Sequence, residues 1–220
     1  MTADSDHGKI SRRQLIAAAG ATAAATVASG AGALPAADVD AWDAQADVLI
    51  VGSGVAGISA AIEARGAGAA VMVLESLSRP GGASAMSGGV VYAGGGTALQ
   101  KALGVEDSVE AMYDFLASAG APHPPLDKVQ LYCEQSPAHF DWLVAQGVPY
   151  REKFTAAKGL PMGDESLYFS GTELAWPARD LARPAPRGHV PGEPGMTGGR
   201  RLMQSLLARA EALGVELRTG

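Results

Sequence analysis

Asp47-Val48-Leu49-Ile50-Val51-Gly52-Ser53-Gly54-Val55-Ala56-Gly57 is the stretch that decides how this chain folds. Val48 to Val51 is a short apolar run rich in β-branched residues, the pattern of a buried parallel strand. Gly52, Gly54 and Gly57 follow at the G-x-G-x-x-G spacing of a dinucleotide-binding turn. In such a turn the first glycine makes the bend, the second lets backbone approach a pyrophosphate, and the third lets helix and strand pack closely. Ile58 to Arg65 continues as a helix, with Ala60, Ala61 and Ala64 small enough to lie on a sheet. The free N–H groups and dipole at its start favour phosphate. Gly66 and Gly68 end it, Val71 to Leu74 read as a second strand, and Glu75 closes that strand 23 residues after Gly52. A carboxylate at this place accepts ribose hydroxyls and repels a 2′-phosphate, which leaves NAD and FAD as candidates.

The residues that follow separate the two by resemblance. Glu75-Ser76-Leu77-Ser78-Arg79-Pro80-Gly81-Gly82-Ala83-Ser84-Ala85-Met86-Ser87-Gly88-Gly89 resembles the second flavin-binding segment of the fumarate reductase/succinate dehydrogenase/3-ketosteroid dehydrogenase flavoprotein superfamily, the FAD-dependent oxidoreductase 2 superfamily. The resemblance implies an α/β, Rossmann-like FAD-binding domain with an additional helical segment. Its cofactor residues would be Gly52, Gly54, Val55, Ala56, Gly57, Glu75, Ser76, Gly81, Gly82, Ala83, Ser84, Ser87, Gly88 and Gly89. Glycines permit close approach, and a run of free N–H groups forms an anion nest. Succinate dehydrogenases carry a flavin-bonding histidine near position 82; a glycine stands here, so the FAD is expected to be non-covalent. Val90-Val91-Tyr92-Ala93-Gly94-Gly95-Gly96-Thr97 is closer to the ketosteroid side of the superfamily. Tyr92 is either a residue facing the flavin or a packed tyrosine with a satisfied hydroxyl.

Within that superfamily the reaction is hydride transfer between flavin and a carbon–carbon bond next to a carbonyl, with an acid or base moving the partner proton. A steroid-like ketone is the first substrate expected, and reduction of an unsaturated dicarboxylate a further alternative. The partners are a small molecule and an unidentified electron donor or acceptor. The resemblance covers about 47–220, the N-terminal portion of the family's usual length. A substrate-capping domain and a C-terminal glycine-rich segment would follow in the intact family, so no catalytic residue is assigned. A non-catalytic nucleotide-binding fragment is the competing expectation.

Composition bounds the rest. The 220 residues hold 43 Ala and 29 Gly but only 12 aromatics, material for close backbone packing rather than a thick aromatic core. The net charge of −6 argues against nucleic acid, whose phosphates call for a basic excess. One cysteine, Cys133, excludes an internal disulfide framework and a Cys-cluster zinc site, and no metal site is expected. Residues 1–37 read as a targeting segment: Ser11-Arg12-Arg13-Gln14-Leu15-Ile16 resembles a twin-arginine export signal, and Gln14 to Ala37 then run 24 residues without charge. That run is too weakly apolar for a stable membrane span, so export to the periplasm, cell envelope or medium is expected, with residues 38–220 as the remaining domain.

Downstream, Ala98 to Leu103 predicts a short helix, and Asp107 or Ser108 caps another that runs to about Ala119. Leu126 to Gln135 predicts a third, with Ser136-Pro137 opening a fourth that ends at Gly147 and buries Phe140, Leu143 and Val144. His139 and Trp142 read as packing residues, and Cys133 as a buried inert thiol. Residues 151–199, with six prolines and eight glycines, show no period and are expected to form a Pro/Gly-rich loop. Arg179, Arg183 and Arg187 in that stretch read as surface arginines, available at most to a substrate carboxylate or carbonyl. Arg200 to Leu213 predicts a helix with Leu202, Leu206, Ala210 and Leu213 on one face, and Val215 to Arg218 a strand.

Overall fold

A computed structural model describes residues 41–120, 123–157, 159–195 and 197–220; the 1–37 targeting segment lies outside the described residues. From Ala46 onward the chain forms one unit. Its first strand, β1 (Val48–Val51), leads through helix α1 (Val55–Gly66) to β2 (Val71–Glu75), and the two strands pair in parallel with Val48 opposite Val71. The other edge of β2 takes the last strand, β7 (Glu216–Thr219), also in parallel, with Glu75 opposite Thr219. The order β1-β2-β7 makes β2 central. Val71, Met72 and Val73 are accordingly buried, as suits the central strand of the sheet.

One face of this sheet is covered by α1 and by helix α7 (Gly198–Ala212). Ile58, Ala61 and Ile62 of α1 meet Leu202, Met203, Leu206 and Ala210 of α7 at the 3.6-residue spacing of buried stripes. Arg65 ties the two helix ends together: its guanidinium donates to the Leu213 carbonyl at 2.8 Å and to the Ala69 carbonyl at 2.9 Å. The first of these satisfies a carbonyl that the end of α7 leaves without a helical partner. The exposed flank of β1 is apolar, with Val51 83% and Leu49 58% exposed.

Between β2 and β7 come α2 (Gly82–Met86), β3 (Val91–Tyr92), α3 (Ala98–Ala102), α4 (Val109–Ala119), α5 (Leu126–Ala145), β4 (Phe154–Thr155), β5 (Leu167–Tyr168), α6 (Ala178–Leu181) and β6 (Gly188–His189). Two expectations change. First, α5 is one continuous helix of 20 residues rather than two, with Pro137 inside it. Ser136 does not cap a new helix; its hydroxyl accepts the Gly94 N–H at 2.8 Å, so tertiary structure takes the side chain that the sequence assigned to a cap. Val144 lies on the exposed side of α5, while Phe140 and Leu143 are buried. Second, the stretch 151–199 is not free loop. It supplies β4, β5 and β6 to a second sheet of order β3-β6-β5-β4, in which β6 runs antiparallel to both β3 and β5. Two-residue strands leave no alternation for sequence to show.

Candidate functional site

The turn from β1 to α1 is built as its spacing demands. Gly52 has φ +97°, a conformation that glycine adopts readily. A Cβ on Gly57 would stand 2.1 Å from the Gly52 carbonyl oxygen, so the third glycine is where helix and turn touch. In front of Gly54 a Cβ would meet only the Ser84 hydroxyl, at 3.5 Å. Val55 and Ala56, in the first turn of α1, are exposed. The N–H groups of a first helical turn have no partners within the helix. Val55 N–H meets Ser84 Oγ at 3.1 Å, which brings the 81–89 segment onto this helix start.

Glu75 closes β2 and is held by neutral donors. Ser53 gives Glu75 Oε2 both its N–H, at 3.0 Å, and its hydroxyl, at 2.6 Å. Leu77 N–H reaches Oε1 at 3.0 Å, and the Ser76 hydroxyl reaches the same oxygen at 3.4 Å. The Ser53 hydroxyl, followed by the Leu77 and Ser53 N–H groups, stabilises the charged form and holds the carboxyl down at about 2. Glu75 is therefore ionised throughout the physiological range. The Ser53 hydroxyl in turn accepts the Gly81 N–H at 2.9 Å. Ser53 is fully buried, and the sequence reading passed over it because it occupies a variable position of the fingerprint.

Gly81 and Gly82 open α2, a single short helix carrying the exposed Ala83 and the half-buried Ser84. Ser87 then turns the chain: its hydroxyl donates to the Ser84 carbonyl at 2.8 Å and accepts the Gly89 N–H at 3.1 Å. The start of α7 packs directly on this turn. Gly199 N–H donates to the Ser87 carbonyl at 3.1 Å, and a Cβ on Gly89 would stand 2.2 Å from the Gly198 carbonyl carbon. Gly198 and Gly199, which sequence reading treats only as the lead into a helix, thus form the wall behind Gly88 and Gly89. The candidate residues from 52–57, 75–76 and 81–89 are joined by this chain of contacts. A negative ribose-seeking carboxylate, an uncovered helix start and glycines with open space in front fit the adenosine and pyrophosphate of a dinucleotide.

A second polar cluster lies outside this cradle. Arg187, expected at the surface, is fully buried, and its guanidinium grips Asp107 with Nε–Oδ2 at 3.0 Å and Nη2–Oδ1 at 2.7 Å. Asp107 is therefore not the cap of α4. Ser108 fills that role, its hydroxyl accepting the Ala111 N–H at 3.0 Å. Asp107 Oδ2 also accepts Gly95 N–H, at 3.0 Å, and Gln100 Nε2, at 3.0 Å. His189 is buried between Thr97 and Phe140, and its Nδ1 donates to the Arg187 carbonyl at 3.0 Å. A carbonyl only accepts, so Nε2 is the bare nitrogen and takes the Thr97 hydroxyl proton at 2.9 Å. Burial pushes this imidazole down to about 4.

Tyr92 Oη, Arg187 Nη1 and Glu173 Oε1 are buried without hydrogen-bond partners among the described residues. Burial and the nearby Glu173 charge push the Tyr92 hydroxyl well up, against the pull of Arg187. Tyr92 is thus a packed residue, stacked on Phe115, but its hydroxyl is not the satisfied one expected. Cys133 is buried, and burial pushes its thiol up to about 11, away from reactivity. Among the described residues there is no group of three His, Cys, Asp or Glu that could hold a metal, and no helix long and apolar enough to cross a membrane.

Comparison with known proteins now bears directly on the cradle. The family model described as "FAD binding domain" matches residues 47–220. The chain belongs to this family. It is an FAD-binding member of the FAD-dependent oxidoreductase 2 superfamily. The chain is 37% identical over 175 residues to 3-oxo-5-alpha-steroid 4-dehydrogenase of Comamonas testosteroni, covering 76% of this chain and 32% of that enzyme. The crystal structure of 3-ketosteroid-Δ4-(5α)-dehydrogenase from Rhodococcus jostii RHA1 in complex with 4-androstene-3,17-dione superimposes with a TM-score of 0.79 at 47% identity, covering 84% of this chain and 39% of that one. Over 113 residues the chain is 42% identical to the acrylate reductase flavoprotein subunit of Shewanella woodyi, which is 50% of this chain and 22% of that protein. The chain thus spans about a third of the length of the steroid-acting relatives it matches.

Proposed function

We propose that this chain forms the cofactor-holding part of an FAD-dependent oxidoreductase acting on a carbon–carbon bond next to a carbonyl, with a steroid-like ketone as the favoured substrate. The likeness of 84% of the chain to the Rhodococcus ketosteroid dehydrogenase, 47% identical with a TM-score of 0.79, carries this reading. Bound FAD supplies a two-electron hydride acceptor or donor. The Glu75 carboxylate accepts ribose hydroxyls, the start of α1 at Gly54–Gly57 faces the pyrophosphate, and Ser84, Ser87, Gly88 and Gly89 line the way toward the flavin. Gly82 offers no side chain for a covalent flavin bond, so the cofactor dissociates. No residue of the chain is assigned as catalytic acid.

The test is spectroscopic. The purified 220-residue chain, or the chain refolded with FAD, is expected to show flavin absorbance, and Glu75→Gln to weaken FAD binding on the order of tenfold by removing a charge-assisted hydrogen bond. Absence of flavin uptake by the parent chain would overturn the reading. Turnover of a steroid ketone with an artificial electron acceptor would show that these residues suffice for catalysis, whereas FAD binding without turnover supports a cofactor-holding role alone.

Reduction of an unsaturated carboxylate is the second reading, favoured by the likeness to the acrylate reductase subunit. Arg187 does not serve it, because Asp107 occupies that guanidinium; Arg179 and Arg183, in the same stretch, are exposed. For residues 1–37 we propose export by the twin-arginine route. Replacing Arg12 and Arg13 with Lys is expected to leave the precursor in the cytoplasm, and unchanged export would refute it.

A further inference from the structure

Glu75 has more donors than a ribose-binding carboxylate has room for. Two carboxylate oxygens offer about four lone-pair sites. The Ser53 N–H, the Ser53 hydroxyl, the Leu77 N–H and the Ser76 hydroxyl fill four. Any ribose hydroxyl must therefore displace one of them. The four are unequal. Ser53 is fully buried, and its two contacts to Oε2 are 3.0 and 2.6 Å. Ser76 is exposed, and its contact to Oε1 is the longest of the set at 3.4 Å.

We propose that Ser53 is a positioning residue that fills Glu75 Oε2 from the buried side and dedicates Oε1 to the cofactor ribose, with the Ser76 hydroxyl as a placeholder that the ribose displaces. This rests on the FAD reading of the cradle. The Ser53 hydroxyl has one proton, and that proton goes to Glu75. Its lone pair is then free to accept the Gly81 N–H, at 2.9 Å, so the same atom fixes the ribose carboxylate and the first residue of the 81–89 segment. Ser53 thus couples the adenosine half of the cradle to the flavin half without touching the cofactor. All the donors around Glu75 are neutral, and no charged side chain contributes to its low titration, so Ser53 is the main control on its charge.

Two measurements on the full 220-residue chain test the idea. In the chain without FAD, a carbon-detected NMR titration is expected to place the Glu75 carboxyl near 2 in the parent and clearly higher, toward the ordinary 4.5, in Ser53→Ala. In fluorescence titrations with FAD, S53A is expected to bind on the order of tenfold more weakly at pH 7, for the loss of a charge-assisted hydrogen bond. Its binding is also expected to fall away further below about pH 5, where the parent holds. Adding S53A to Glu75→Gln should cost much less than S53A alone. The proposal is overturned if Glu75 still titrates near 2 in S53A, or if S53A binds FAD as tightly as the parent does. A parent chain that takes up no FAD sinks the cofactor reading instead, while the NMR titration still judges the hold of Ser53 on Glu75.

Discussion

Around Glu75 the chain holds a charge near solvent with neutral hydroxyl and backbone donors, whereas around Arg187 it holds a fully buried guanidinium with a buried carboxylate. The first arrangement leaves lone pairs to be traded for a ligand. In the second the carboxylate and the ring have nothing to trade: Asp107 accepts from Arg187, Gln100 and Gly95, and His189 is spent on Thr97 and the Arg187 carbonyl, while the guanidinium keeps one nitrogen, Nη1, without a partner among the described residues. The difference separates binding from support. On Glu75 all four positions are filled, but one donor, the exposed Ser76 hydroxyl at 3.4 Å, is weakly held and exchangeable, whereas the cluster's ring and carboxylate hold the Gly94–Thr97 loop through buried partners.

The strongest way to break this comparison is Asp107→Ala. It strands a buried guanidinium, and breaking such a pair costs roughly 3–5 kcal/mol, to be read from urea unfolding midpoints. A variant that lost FAD while keeping its midpoint would move Asp107 into the cradle and dissolve the distinction. Acid separates the two regions next. The unfolded His189 takes up its proton near 6.5 and the folded one only near 4, so stability falls as pH drops through that window and levels off below it. The loss should approach about 3 kcal/mol at most and be absent from His189→Gln. Glu75 runs in a lower window: its folded carboxyl is depressed from 4.5 to about 2, so its contribution is complete above 4.5 and is lost between there and 2. Denaturation curves that lost stability only below pH 4.5 would remove His189 from the account. The smallest effect is expected for Gly57→Ala, whose Cβ would stand 2.1 Å from the Gly52 carbonyl. Such overpacking typically costs about 1–3 kcal/mol, but FAD binding should suffer more than the melting point. Unchanged FAD affinity would show that the turn is not the phosphate end of the cradle.

The same contrast explains what was legible in the sequence. Gly52, Gly54, Gly57 and Glu75 sit at spacings set by one strand–helix–strand unit, and the bonds that tie that unit together, Ser53 to Glu75 and to Gly81 and Val55 to Ser84, span 22 to 29 residues. Local geometry therefore writes itself into local spacing. Arg187 and Asp107 are 80 residues apart, and Thr97 and His189 are 92 apart. Nothing near Arg187 marks it as buried, so it read as a surface arginine. Asp107 and Ser136 failed for a related reason. Each stands where a helix cap is expected, and each is instead used by backbone of the glycine loop at Gly95 and Gly94. Ser53 was hidden inside a motif, because the fingerprint constrains its glycines and not the residue between them.

The contact of Gly198 and Gly199 with the Ser87–Gly89 turn has a temporal consequence. The ribose end of the cradle joins residues 52 to 81, so it can assemble early during synthesis. The flavin end needs backbone more than 100 residues further along, and loops of that length close late and slowly. The turn at Ser87–Gly89 therefore takes its final form only once α7 has docked.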